Sequence, residues 1–312
     1  MIRPTPVLAS LLPGLRLLAS QSIGADSVPA APQAVIQKVK EVEQSVGLQP
    51  TENFAHTAPG MRSYDRCYFT RVLELPESYA RLKLRDGARD GCAPDPKKYD
   101  AFFYHIEAVA SGNSPITRSL AEAAPERLLA VVSHEDFHAQ VRDLPVTIAE
   151  AAATLAGFLI GAEADPRGIK SELYRDAEVF LEKSVLINRY HAQLSAVYKA
   201  VKVGALSNSS AMARKQSLLR NLQQECSTIR PDPLSFNKCV SAANNAGLAF
   251  NHTYTQYYPL LYQVLVACRY GLKCTVETIT KAPKKTSEAA VVRYFEGFLE
   301  APQEPSLNFH SD

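Results

Sequence analysis

An α+β fold, predominantly α-helical, with a small N-terminal sheet packed on a helical body, follows from three observations on the 312-residue chain. Between about residues 61 and 112, the stretches CYFTRVLEL and YDAFFYHIEAVAS are rich in aromatic and β-branched residues, and GARDGCAPDPKKYD between them is turn chemistry. From Pro125 almost to the C-terminus, apolar residues recur at helical spacing. No repeat and no long linker separates the two parts. Residues 31–312 therefore read as a single domain, with its helical body over about 113–300.

The N-terminus stands apart from that domain. Arg3 precedes VLASLLPGLRLLAS, an apolar stretch of signal-peptide length, and cleavage after Ala25 or Ala30 fits the small-residue rule. Pro13 and Arg16 interrupt the run, so a flexible or amphipathic arm over residues 1–30 is the alternative. Beyond it, no stretch approaches the roughly 18 unbroken apolar residues that span a bilayer.

A first short helix is expected in AVIQKVKEVEQSVG, where Ile36, Val39, Val42 and Val46 share one face. In the helical body, PERLLAVVSHEDFHAQV opens on a proline suited to a first helical turn. TIAEAAATLAGFLIGAEA follows, then a long helix from Glu172 that ends at Gly204. MARKQSLLRNLQQEC and AANNAGLAFNHTYTQYYPLLYQVLVACRYG each add one more.

The six cysteines fall into three neighbouring couples, Cys67 with Cys92, Cys226 with Cys239 and Cys268 with Cys274, each able to close a short loop. None has a CxxC zinc spacing. Three local disulfides fit an exported chain, periplasmic or secreted, and unpaired buried thiols are the alternative. A net charge of +2 with no dense Lys/Arg block argues against nucleic acid as a partner.

The chemistry concentrates in His134-Glu135-Asp136-Phe137-His138. A spacing of four on a helix brings both imidazoles to one face, which suits two nitrogens on one Zn²⁺. Glu135, one position round, can hold a water beside the metal and accept its proton during attack on a carbonyl. The pattern arises by accident in roughly one such chain in a hundred, and its bland reading is two solvent-facing histidines. A third ligand must come from a returning segment. Glu150, near the start of the next helix, is favoured over Asp143, which follows His138 too closely for the chain to reverse. Thr147 and Glu150 also fit a capping box, in which Glu150 serves only the backbone.

PERLLAVVSHEDFHAQ, IAEAAATLAGF and the distant NNAGLAFNHTYTQYYPLLYQVLVA together resemble three landmarks of the predicted aminopeptidase family of bacterial exported proteins. The resemblance covers roughly residues 60–275. It implies a zinc peptidase in which His134, His138 and Glu150 hold Zn²⁺, Glu135 is the base, and Tyr254 is the donor to the developing oxyanion. His252 is a weaker donor candidate, and the stripe Phe250, Tyr254, Tyr257, Leu261 reads equally as core. Gln140 sits one place later than the family's Gln, Ala149 replaces its Asn, and Asp136 replaces an apolar residue. These departures put second-shell orientation in question. The expected function is a zinc-dependent aminopeptidase acting on peptides. A catalytically weak or inactive binding protein of the cell envelope is the alternative. Capture of a free N-terminus requires carboxylates, for which Glu107 and Glu163 are nearby candidates. YDAFFYHIEAVASG is placed to pair with an extended substrate. His56, His105, His191 and His310 show no companion at ligand spacing.

Overall fold

A computed structural model describes residues 32–58, 60–87, 92, 95–231 and 238–301. The N-terminal segment read as a signal peptide, and His310, lie outside the described residues. The fold is α+β and mostly helical, as the sequence predicts. Helix α1 (Pro32–Ser45) buries Ile36, Val39 and Val42. Strands β1 (Thr57–Ala58), β2 (Tyr64–Arg71), β3 (Lys83–Asp86), β4 (Tyr99–Ile106) and β5 (Ile116–Thr117) follow. The rest is helical: α2 (Arg118–Ala121), α3 (Pro125–Val141), α4 (Val146–Ala164), α5 (Glu172–Lys202), α6 (Asn208–Cys226), α7 (Asn245–Thr255), α8 (Tyr258–Ala267), α9 (Leu272–Thr280) and α10 (Glu288–Glu300).

The main sheet is antiparallel in the order β3-β2-β4, with Cys67 opposite Phe103 and Tyr68 opposite Phe102. Period-2 alternation turns Tyr68, Phe102 and Tyr104 towards Ala246, Ala249 and Phe250 of α7. Strand β3, KLRD, is exposed throughout, so its sequence carries no alternation to read. A second ladder, β1 with β5, is parallel and two residues long, and lies just outside the predicted sheet region.

Helix α4 is the centre of the core. Its small residues let neighbours approach: a Cβ on Gly157 would meet the Ala130 carbonyl oxygen at 2.8 Å and the His134 Cβ at 3.3 Å. The Cβ of a side chain at Gly161 would meet Leu173 Cδ1 at 2.9 Å. Around this seam Leu129, Phe137, Ile148, Leu155, Phe158 and Ile160 are buried, each contributing about 2 kcal/mol of hydrophobic stabilisation. Among the described residues α4 alone is long and apolar enough to cross a membrane, but 89% of that window is buried inside the protein. It is a core helix.

Capping follows the sequence closely. Ser171, Ser207, Asn244 and Ser287 each accept a backbone N–H in the first turn of α5, α6, α7 and α10. The single helix expected over 242–271 is instead two, α7 and α8. Pro259 has no N–H to give the Thr255 carbonyl. Asn188 Nδ2 supplies one instead, at 2.8 Å, and reaches the Gln256 carbonyl at 3.3 Å.

The cysteines pair as Cys67–Cys92, Cys226–Cys239 and Cys268–Cys274. They close loops of 25, 13 and 6 residues, and a link of this kind stabilises by about 2–4 kcal/mol, more for longer loops. Three such links point to an oxidising, extracytoplasmic environment.

Candidate metal centre

Helix α3 starts at Pro125 and runs past the motif, carrying His134 and His138 on the face turned to α4. The turn through Leu144-Pro145 reverses the chain, and α4 returns antiparallel with Glu150 in its second turn. The close approach at Gly157 presses α4 against the backbone and Cβ of His134, which fixes the root of that side chain.

The three side chains converge. His134 Nε2 and His138 Nε2 are 3.0 Å apart, and Glu150 Oε2 lies 3.3 Å from each. Their ligand atoms form a group that could hold a metal ion. Donors about 2.1 Å from a tetrahedral zinc stand about 3.4 Å from one another, so the observed spacing fits such an ion. Glu150 Oε2 is buried and accepts no hydrogen bond of proper geometry. A buried carboxylate oxygen in that state, aimed between two imidazole nitrogens, is what a cation would satisfy.

Electrostatics agree with the geometry. Burial alone would lower the His138 imidazole, but the negative charge of the adjacent Glu150 carboxylate outweighs it and pushes the pKa up to about 9. For Glu150 burial raises and the two histidines lower, and the histidines win, holding the carboxyl well below its usual range. Glu135 behaves differently. Burial raises its carboxyl, the histidines oppose the rise, and Glu150 and Asp136 reinforce it. A base lifted above the ordinary carboxylate range is better matched to neutral pH.

Glu135 lines three adjoining cavities: one with Tyr104, Arg127 and Tyr254, one with Asn53, Gly112 and Arg142, and one of about 380 Å³ with Tyr68, Tyr79 and Arg142. Tyr254 borders two of them, with its ring centroid 6.2 Å from that of His134. Burial first, then Glu150 and neighbouring tyrosines, raise its pKa well above 10, so its O–H stays a donor.

The remaining candidates separate clearly. Asp143 is exposed and offers its backbone carbonyl to Lys285, away from the histidines. Thr147 donates to Glu288 at 2.6 Å, and Pro145 occupies the N-cap position, so no capping box forms. His252 faces elsewhere: it stacks on His191 with ring centroids 3.6 Å apart, an encounter that their separation in sequence did not show. His105 contacts Asp65 on the sheet at 2.6 Å, and His56 is exposed. Asn244 caps α7, and buried Asn245 donates to the carbonyls of Val72 and Glu74.

Asp136 and Gln140, the positions that depart from the motif the sequence resembles, have structural partners. Asp136 is buried, where it accepts from Lys40, Thr51 and Asn53. Gln140 exchanges hydrogen bonds with both backbone groups of Gln49. Both tie α3 to α1 and the segment that follows it. Sequence reasoning missed Tyr79, whose hydroxyl donates to Glu150 Oε1 at 2.6 Å. Tyr79 lies 71 residues before Glu150 in a three-residue 3₁₀ turn, Tyr79–Arg81, and no local signal marks it.

No protein-family model matches the chain, and no curated protein or solved structure matches it.

Proposed function

We propose that this chain is an exported, periplasmic or secreted, zinc-dependent peptidase, with the aminopeptidase class that its motifs resemble as the expected activity. The observation that carries the reading is the convergence of His134, His138 and Glu150 at 3.0–3.3 Å with Glu135 beside them. Zinc held by the three would lower the pKa of a water and polarise the substrate carbonyl.

The protein's own residues do the rest. Glu135 takes the proton of the attacking water and returns it to the leaving amine, a transfer worth about 10²–10⁴ in rate. Tyr254 donates its O–H to the carbonyl oxygen as negative charge develops there. Tyr79 fixes Glu150 from behind, leaving Oε2 for the metal. Strand β4 is an edge of its sheet, and its continuation through Glu107, Ala108 and Ala110 borders the same cavities. An extended peptide bound along that edge would lie over Glu135.

The experiment is a mixed peptide library incubated with zinc-loaded protein and with its Glu135→Gln variant. Cleavage by the first and none by the second, with equal zinc content, supports the reading. Zinc bound with the library intact in both would instead make the chain a metallopeptidase-like binding protein.

A further inference from the structure

Charged groups along the cleft bear on what it accepts. Along α3 and its C-cap residue, Arg127, Val131, Glu135, His138 and Arg142 recur at helical spacing and form one stripe under the three cavities. The stripe spans 16 residues, about 22 Å from first to last, with His134 near its middle. At one end Arg127 is neutralised: its Nε donates to Glu107 at 2.7 Å and its terminal nitrogen to the Tyr104 hydroxyl at 3.2 Å. At the other end Arg142 is exposed and has no hydrogen bond or ion pair with any described residue, yet it borders both cavities that contain His138. Arg66 borders the larger of these from β2, with Tyr68 beside it and a loose 3.6 Å contact to exposed Asp86.

Among the described residues lining the cavities no carboxylate is spare to balance these cations, and Asp86 stands outside the walls. Of the acidic residues in the cavity walls, Glu135 is the base, Glu150 faces the histidines and Glu107 is held by Arg127. Glu163 is exposed near the far end of α4, where it accepts from Tyr174, about 20 Å along the helix from Glu150. The N-terminal ammonium that an aminopeptidase would bind therefore has no partner among these carboxylates, whereas an anion has two.

Resting on the peptidase reading, we infer that the His138 end of the cleft recognises a substrate carboxylate through Arg142, with Arg66 adding to the field. Arg142 lies one helical turn, about 6 Å, beyond His138, and an extended peptide advances about 3.3 Å per residue. The carboxylate therefore belongs within about two residues of the scissile bond. It is either the C-terminus of a short peptide or the side chain of Asp or Glu. Arg suits this task because its planar fork meets a carboxylate with two parallel hydrogen bonds.

The test is titration calorimetry on the zinc-loaded Glu135→Gln protein, which binds peptides without cutting them. The probes are Ala-Ala-Ala-Ala as free acid and as amide, and Ala-Ala-Glu-Ala-amide against Ala-Ala-Gln-Ala-amide. The charged member of at least one pair should bind about tenfold tighter. A preference confined to the first pair identifies the C-terminus, and one confined to the second identifies the side chain. Adding Arg142→Ala should erase the preference, Arg142→Lys should keep part of it, and Arg142→Glu should invert it, with thermal unfolding unchanged because the side chain is exposed. Equal binding within both pairs, a preference that survives Arg142→Ala, or no peptide binding at all would overturn the inference. Cleavage by the Glu135 protein is scored separately. A chain that cleaves without preferring carboxylates keeps the peptidase reading and loses this one, and a chain that binds them through Arg142 without cleaving does the reverse.

Discussion

The Tyr79 hydroxyl donates a 2.6 Å hydrogen bond to Glu150 Oε1 and so leaves Oε2 turned between His134 and His138. Tyr79 is itself held from two sides. Its backbone N–H donates to Thr253 Oγ1 at 2.7 Å, and the preceding Glu77 carbonyl lies 2.7 Å from His252 Nδ1. A short 3₁₀ turn far from the motif in sequence thus orients a carboxylate at the candidate metal centre.

Tyr79→Phe should leave the fold intact and weaken zinc binding about tenfold, since lost orienting partners typically cost 10–100-fold in metal affinity. Competition against a chromogenic chelator measures it. Affinity within twofold of the parent would mean that Glu150 needs no such support.

The α3–α4 seam makes a stability prediction. At Gly157→Ala the new methyl would meet the Ala130 carbonyl oxygen at 2.8 Å, a backbone atom that cannot step aside cheaply. Overpacking of this kind costs about 1–3 kcal/mol, to be read from the denaturant midpoint. Zinc affinity should fall as well, because the same methyl pushes on His134. An unchanged midpoint would show that the two helices separate more freely than their packing implies.

The His191–His252 stack predicts an acid sensitivity. Burial lowers both imidazoles, His252 to about 3 with His191 adding to the effect. Above about pH 6.5 the rings are neutral in folded and unfolded chains alike, and the stack contributes in full. Below it the unfolded chain takes up protons that the folded stack refuses, so stability falls as pH drops towards 3. His252→Gln retains a donor for the Glu77 carbonyl but does not titrate. Between pH 7 and pH 5 the parent should lose at least about 1 kcal/mol more than this variant in chemical denaturation. Parallel profiles would contradict the assignment.

How much was legible in the sequence depends on how local each feature is. Helices α3 and α4, the cysteine couples and the presence of β2 and β4 follow from periodicity and nearby spacing, and the structure has them all, with β2 at Tyr64–Arg71 starting before the CYFTRVLEL stretch and β4 ending at Ile106. The break between α7 and α8 was signalled by Pro259 but masked by apolar periodicity running through it. Strand β3 is exposed and polar, so only its pairing with β2 defines it. The placement of Glu150 was open to Asp143 and to a capping role until the turn at Pro145 gave α4 its direction. Tyr79 with Glu150, and His191 with His252, join positions 71 and 61 residues apart, and only the packing of α7 against the sheet and α5 brings them together. Asp136, a departure by family pattern, becomes intelligible once Lys40, Thr51 and Asn53 are seen around it.

The central claim is that His134, His138 and Glu150 form one cation site, and zinc stoichiometry tests it most directly. Protein loaded with zinc and dialysed at neutral pH should retain one ion per chain by elemental analysis. Glu150→Ala, with its helical circular dichroism unchanged, should retain almost none. A parent chain that holds no zinc, or a Glu150→Ala variant that holds it as firmly as the parent, would contradict the account.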